Sequence, residues 1–177
     1  MSAVQLLEEM LDFVDENDAV IGQVSRTEAW QRGLPIRVIN AFLVNSAGLV
    51  WIPRRTPHKA MFPGCLDVSV GGHVASGETY AEALARETCE EINLDIALSE
   101  WHEAAYFSPF QTTLSAFMRV YIISSERTPI YNTDDFSESD WLEPTELARR
   151  IGAGEPAKGD LLELIQRIFL GGALKHD

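Results

Sequence analysis

Cysteine is scarce in this chain. Among its 177 residues only Cys65 and Cys89 occur, with neither metal-ligand spacing nor the pattern of a disulfide framework. Cys89 falls inside a predicted helix and is expected as a partly buried, reduced thiol. Basic residues are also few, 14 against 27 acidic, for a net charge of -13. Such a surface repels nucleic acid and anionic membranes, which bind chiefly through clustered Lys and Arg. A free anionic substrate is repelled too, unless bound cations and a local basic patch receive it. No secretory leader, transit peptide or long apolar run is visible, so the expectation is a cytoplasmic protein with no membrane partner. Repeats, low-complexity tracts and long linkers are absent as well. A single domain over 1–177 is expected, with a helix and hairpin in 1–35 as an extension of it. The hydrophobic share, 46%, suffices for a globular core.

What the chain does hold is concentrated in residues 72–94, GHVASGETYAEALARETCEEINL. A glycine loop leads into a helix whose start is marked by Thr79 and Glu82, a capping-box pair. Ala81, Leu84, Ala85, Thr88 and Ile92 form an apolar stripe at helical spacing. Glu87, Glu90 and Glu91, at i, i+3 and i+4, share another face. Crowded carboxylates repel unless neutralised, and hard divalent cations take such oxygen ligands together with substrate phosphates. The glycine loop beside them can bring backbone N–H groups close to phosphate. The plainer alternative is a solvated acidic helix face.

Elsewhere, residues 4–11 predict a short amphipathic helix and residues 13–24 a hairpin about the turn 15–18. Strands are expected over 37–44 and 49–52, joined by the turn 45–48, and over 66–70 and 113–123. Helices are expected over 146–151 and 160–170. Strands interleaved with helices point to the α/β class, with a mixed sheet covered on both faces. A basic and aromatic loop over 53–64 carries Arg55 and Lys59, a fork and a point charge suited to phosphate oxygens. Near 108–113, Phe110 could stack a base and Gln111 read its edge. Trp30, Trp51, Trp101 and Trp141 are expected as core or cleft walls.

Residues 72–94 resemble the Nudix box, G-x5-E-x7-R-E-U-x-E-E-x-G-U, where U is a bulky apolar residue. Gly72, Glu78, Arg86, Glu87, Glu90, Glu91 and Leu94 stand on its positions. Thr88 replaces an apolar residue and Asn93 the glycine after the helix, a mild change because Asn also caps left-handed. The resemblance implies a Nudix α/β/α sandwich and metal-dependent hydrolysis of a phosphoanhydride bond, with Mg²⁺ or Mn²⁺ held by Glu87, Glu90 and Glu91. It implies that Arg86 orients a carboxylate, that Glu78 supports the ligands from behind, and that Gly71 and Gly72 face the phosphates. Residues 136–141 resemble the late acidic-Trp segment of many members, making Glu138 a candidate general base.

From about residue 11 to residue 94 the order of segments is similar to the isopentenyl-diphosphate isomerase branch, where the Arg and Lys matching Arg55 and Lys59 grip the diphosphate. The isomerase apparatus itself is missing. Gly71 stands where those enzymes have a cysteine, and Ala29 and Ile36 where they have metal-binding histidines. The two downstream glutamates should fall near Leu114 and Ala116. His73 alone survives, as a loop-orienting residue. The resemblance is therefore to the isomerase-like bacterial Nudix hydrolases, acting on a nucleoside di- or triphosphate or a nucleoside diphosphate linked to another group. An isomerase and a non-catalytic nucleotide-binding regulator are the other readings, and a homodimer is left open.

Overall fold

The computed structural model describes residues 8–171. A hairpin comes first, β1 (Met10–Val14) against β2 (Val20–Ser25). Its turn is tied by the Asp15 carboxylate, which accepts the N–H groups of Asn17 and Ala19. Helix α1 (Arg26–Arg32) follows, capped by the Ser25 hydroxyl and ended by Gly33 in the left-handed region at φ 62°.

Next come β3 (Arg37–Val44), β4 (Val50–Arg55), β5 (Val70–His73), α2 (Tyr80–Ile92), β6 (Trp101–Phe107), β7 (Phe117–Ser124), β8 (Phe136–Leu142), α3 (Pro144–Gly152) and α4 (Leu161–Phe169). The main sheet runs β6-β7-β3-β4-β8, with β5 also paired to β3. It is mixed, because β3 and β7 are parallel while the other pairs are antiparallel. Alternation along β3 explains the layers. Ile39, Ala41 and Leu43 face α2 and pack with Ala83, Leu84 and Ile92. Phe42 faces the other way, with Val50, Ile52 and Val120, against Leu147 of α3 and Leu161, Leu164 and Ile165 of α4. Helices thus cover both faces, the α/β/α arrangement expected.

The feature that positions the site is a split in this sheet. β3 gives residues 38–41 to β5, yet meets β4 only at Val44 opposite Val50. Where the two partners part, Ser69 fills the ladder. Its hydroxyl accepts the Leu43 N–H at 2.9 Å and donates to the Trp51 carbonyl at 2.5 Å. The segment before β5 crosses this split: at the Arg55 end of β4 the Arg55 N–H bonds the Cys65 carbonyl at 2.9 Å and the Asp67 N–H bonds the Pro53 carbonyl at 3.0 Å.

Several expectations change. Leu11 lies in β1 rather than in a helix, and residues 4–7 of that expected helix lie outside the described residues. The strand expected at 66–70 starts only at Val70, because Asp67 turns its carboxylate onto the Val68 N–H and Ser69 is engaged across the split. The strand expected from 113 begins at Phe117, after a loop that Thr112 ties to Ser108. On α2 it is Ala83, not Ala81, that is buried. Cys89 is exposed. Trp51 is a core residue, whereas Trp30 and Trp101 are 46% and 41% exposed and pack against His73 and Tyr121. Strands β6 and β8 and helix α1 were not anticipated.

Ser69→Ala is expected to destabilise the fold by about 2 kcal/mol or more, since it leaves a buried N–H and a buried carbonyl unpaired. Urea unfolding followed by tryptophan fluorescence measures this. A loss under about 0.5 kcal/mol, the scale of an ordinary surface substitution, would mean that the hydroxyl does not hold the split together.

Candidate active site

Helix α2 starts where the sequence places it. Thr79 and Glu82 complete the capping box, and Asn93 ends the helix in the left-handed region at φ 50°. The helix lies so close on β5 that a Cβ added at Gly72 would stand 2.0 Å from Glu87 Oε1 and 2.2 Å from its Cδ. Only glycine fits opposite that carboxylate, so the loop glycine and the helix glutamate are one steric unit.

Arg86 organises the surrounding charge. Its Nε and Nη2 donate to the two oxygens of Glu78 at 2.7 and 2.9 Å, and Nη2 also reaches the His73 carbonyl at 3.0 Å. Its Nη1 donates to Glu87 at 2.7 Å and more distantly to Glu90 at 3.4 Å. The Arg86 hydrogen bond is the main reason the Glu78 carboxyl lies below the usual range. Glu87 behaves oppositely: burial pushes it up to about 7, and Glu90 and Glu9 add to that against the pull of Arg86. Glu91 accepts the Gly71 N–H at 3.0 Å, and burial followed by repulsion from Glu87 raises it well above the ordinary carboxyl value.

The three box glutamates are not equivalent. Glu87 is buried and Glu91 largely so, whereas the Glu90 side chain is 59% exposed. Among the described residues no three acidic, His or Cys side chains are already gathered in ligand geometry. Arg86 draws Glu87 one way and the Gly71 N–H draws Glu91 another. The donor chemistry nonetheless fits a hard divalent cation: carboxylate oxygens, partly desolvated and mutually repelling, beside a glycine-lined strand edge. Such an ion would be held by Glu87 and Glu91, with Glu90 closing from the solvent side.

The surrounding segments also carry cations, each with a carboxylate partner. Arg55 donates to Asp67 Oδ2 at 2.6 Å and to the Met61 carbonyl at 3.0 Å. Lys59 pairs with Asp135. Lys158, which the sequence did not single out, reaches in from before α4. Its Nζ donates to Asn40 Oδ1 at 3.3 Å and lies 3.7 Å from both Asp67 and Asp160. Burial opposes its charge, but Asp67, Asp160 and Glu91 outweigh that and hold the ammonium pKa above the ordinary lysine value. A Cβ at Gly71 would come within 2.7 Å of Asn40 Oδ1, so this second glycine keeps the Lys158 side open as Gly72 keeps the Glu87 side open. Glu9 is a further unanticipated acid. It lies 3.5 Å from His73 Nδ1 and pairs with Arg26.

Other expected site residues stand apart from this arrangement. Glu138 sits on β8 opposite Arg54 and pairs with it at 2.5 Å, while Arg54 also binds Glu155. Its carboxylate is thus tied at the β4–β8 edge rather than to Arg86 or the box. Phe110 is exposed and leans on Phe117, with ring centroids 5.9 Å apart. Gln111 is exposed in the same loop, its N–H bonded to the Ser108 carbonyl. The positions expected to carry isomerase ligands are apolar and mostly joined: Ala29, Ile36 and Ala116 share one buried cluster with Leu11 and Val24, and Leu114 is buried in another.

Gly72→Ala should fold, because the displaced group is the end of a side chain, but it should expel Glu87 from its place. Mn²⁺ affinity is expected to fall about 10- to 100-fold, the scale for disturbing the groups that orient metal ligands. Titration of Mn²⁺ alone, with a thermal melt to verify folding, is the check. Unchanged affinity would show that the Glu87 position is irrelevant to cation binding.

Comparison with known proteins agrees with this geometry. Residues 34–165 match the NUDIX domain family. A Nudix hydrolase of Deinococcus radiodurans is 56% identical over 162 residues, covering 92% of this chain and 95% of that protein. A Nudix hydrolase of Nostoc sp. is 52% identical over 162 residues, covering 91% and 96%. Among solved structures, DR0079 from Deinococcus radiodurans superposes with a TM-score of 0.87 at 56% identity, over 91% of this chain and 99% of that one. A MutT protein from Methanosarcina mazei, at 19% identity and a TM-score of 0.56 over 78% of this chain and 96% of that one, shares the fold. The chain therefore belongs to the Nudix hydrolase family, enzymes that act on pyrophosphate bonds with the help of divalent cations.

Proposed function

We propose that this chain hydrolyses a phosphoanhydride bond in a nucleoside di- or triphosphate, or in a nucleoside diphosphate linked to another group, with Mg²⁺ or Mn²⁺ as its cation. The observation carrying this reading is the pair of inward carboxylates, Glu87 and Glu91, set against Gly71 and Gly72 where burial resists their charge. A bound divalent cation supplies screening of the phosphate charges and a lowered pKa for an attacking water. Arg86 fixes Glu87 and Glu78 as one unit. The two glycines leave the strand edge clear for a phosphate to approach the backbone. Arg55 and Lys59 meet the substrate by exchanging Asp67 and Asp135 for phosphate oxygens, a contact that grows as charge shifts in the transition state. Phe110 and Gln111, open to solvent, are offered for base recognition. Glu138, held by Arg54, acts as base only if that ion pair opens.

The similarity in segment order to the isomerase branch is read as shared scaffold. The apolar cluster of Ala29, Ile36 and Ala116 favours hydrolysis over isomerisation, which needs a placed acid and a second metal site. A purely regulatory module is disfavoured by the complete set of box glutamates.

Chelation with EDTA should abolish turnover, and Mg²⁺ or Mn²⁺ should restore it. The test substrates are nucleoside diphosphates, triphosphates and dinucleotides, with products identified by mass. Full turnover in excess chelator, or conversion of isopentenyl diphosphate without phosphate release, would contradict the reading.

Glu87→Gln and Glu91→Gln are each expected to lower kcat by roughly 10²-fold or more. Glu82→Gln lies outside the ligand set and should cost only capping stability. Arg55→Ala should raise KM while leaving Mn²⁺ affinity without substrate the same or better. Steady-state kinetics on all four variants provides the check, and equal losses in the three glutamate variants would refute the assignment.

A further inference from the structure

The glycine loop after β5 carries Glu78, and Glu78 holds Arg86. What holds the loop is the N-terminal hairpin. Leu11 of β1 forms an antiparallel bridge with Ala75, and the Ser76 N–H donates to the Met10 carbonyl at 2.8 Å. Next along β1 is Asp12, a buried carboxylate. Its Oδ1 accepts the Ser76 hydroxyl at 2.6 Å and its Oδ2 accepts the Gly77 N–H at 3.0 Å. Gln23 of β2 donates to the same Ser76 hydroxyl. Gly77 is left-handed at φ 81°, so Asp12 secures the loop at its sharpest turn.

From that turn the contacts run without a gap to the carboxylate cluster. The Glu78 N–H bonds the Ala75 carbonyl, and the Ala75 N–H bonds the Glu78 carboxylate, both at 2.9 Å. Glu78 then takes two hydrogen bonds from Arg86, and Arg86 donates to Glu87. A buried carboxylate is costly unless its oxygens are matched by donors. Asp12 is matched on both, and both donors belong to the loop.

We propose that Asp12 is a positioning residue for the active site: by clamping Ser76 and Gly77 it sets the Glu78–Arg86 pair and hence the place of Glu87. The hairpin is in this sense part of the cation site. The inference rests on the reading that Glu87 holds a divalent cation. Asparagine keeps the shape at position 12 but offers one acceptor for two donors, so it should restore only part of the function.

The test uses the full chain with Asp12→Ala, Asp12→Asn, and Ile165→Val as a destabilising control in the core under the opposite sheet face. Mn²⁺ alone is titrated well below each melting temperature. Hydrolysis is followed on whichever of ADP, CDP, GDP and UDP the parent chain turns over fastest. Asp12→Ala should weaken Mn²⁺ binding and lower kcat by roughly 10- to 100-fold, with a smaller change in KM. Asp12→Asn should fall between Ala and the parent, and Ile165→Val should lose melting temperature while keeping both parent values. If the parent binds Mn²⁺ and Asp12→Ala binds it equally well, the positioning role is overturned while the cation site stands. A parent that binds no Mn²⁺ overturns both.

Discussion

The contact between Gly72 and Glu87 constrains the rest of this structure. A helix normally keeps a glutamate outside, yet here the carboxylate occupies the space that any side chain at residue 72 would fill. Isolated burial of that charge is unfavourable, and two things offset it. The apolar face of α2 buries Leu84 and Ile92, each worth roughly 1.5–3 kcal/mol, and Arg86 supplies the neighbouring positive charge. The helix is thereby pinned to β5, with burial raising the Glu87 carboxyl above the ordinary carboxylate range.

The split sheet adds a second set of groups to this contact. Because β3 divides its antiparallel edge between β5 and β4, groups from both covering layers come together beside Gly71. Glu87 and Glu91 come from the α2 side and Lys158 from the segment before α4. Arg55 comes from the end of β4 and Asp67 from the segment that leads into β5. Each cation there has an acid within pairing distance. In a chain of net charge -13 such pairs hold positive charge in place without creating a general basic surface.

Residues whose roles follow from local spacing were legible in the sequence. The capping box, the Asn93 cap and the helix running from one to the other all depend on neighbours a turn away. The layered α/β class followed from the alternation of strand and helix signals. Long-range pairings were not legible. Arg55 looked free because Asp67 lies across a loop, and Lys158 has no local pattern to distinguish it from a surface lysine. Strand β6 is exposed along much of its length, so it lacks the apolar alternation that marks a half-buried strand. Strand β8 hides its strand character behind Glu138 and Asp140. Glu9 meets His73 and Asp12 meets Ser76 and Gly77, a juxtaposition visible only once the hairpin is folded back.

The crowded carboxylates beside Gly71 and Gly72 are proposed as a cation site. Locating Mn²⁺ in crystals of the chain by anomalous scattering tests it most directly. The expected result is an ion bonded to oxygens of Glu87 and Glu91 at the β5 edge, with Arg86 still bonded to Glu78 and to the other oxygen of Glu87. Mn²⁺ found only elsewhere, touching neither Glu87 nor Glu91, would refute that site.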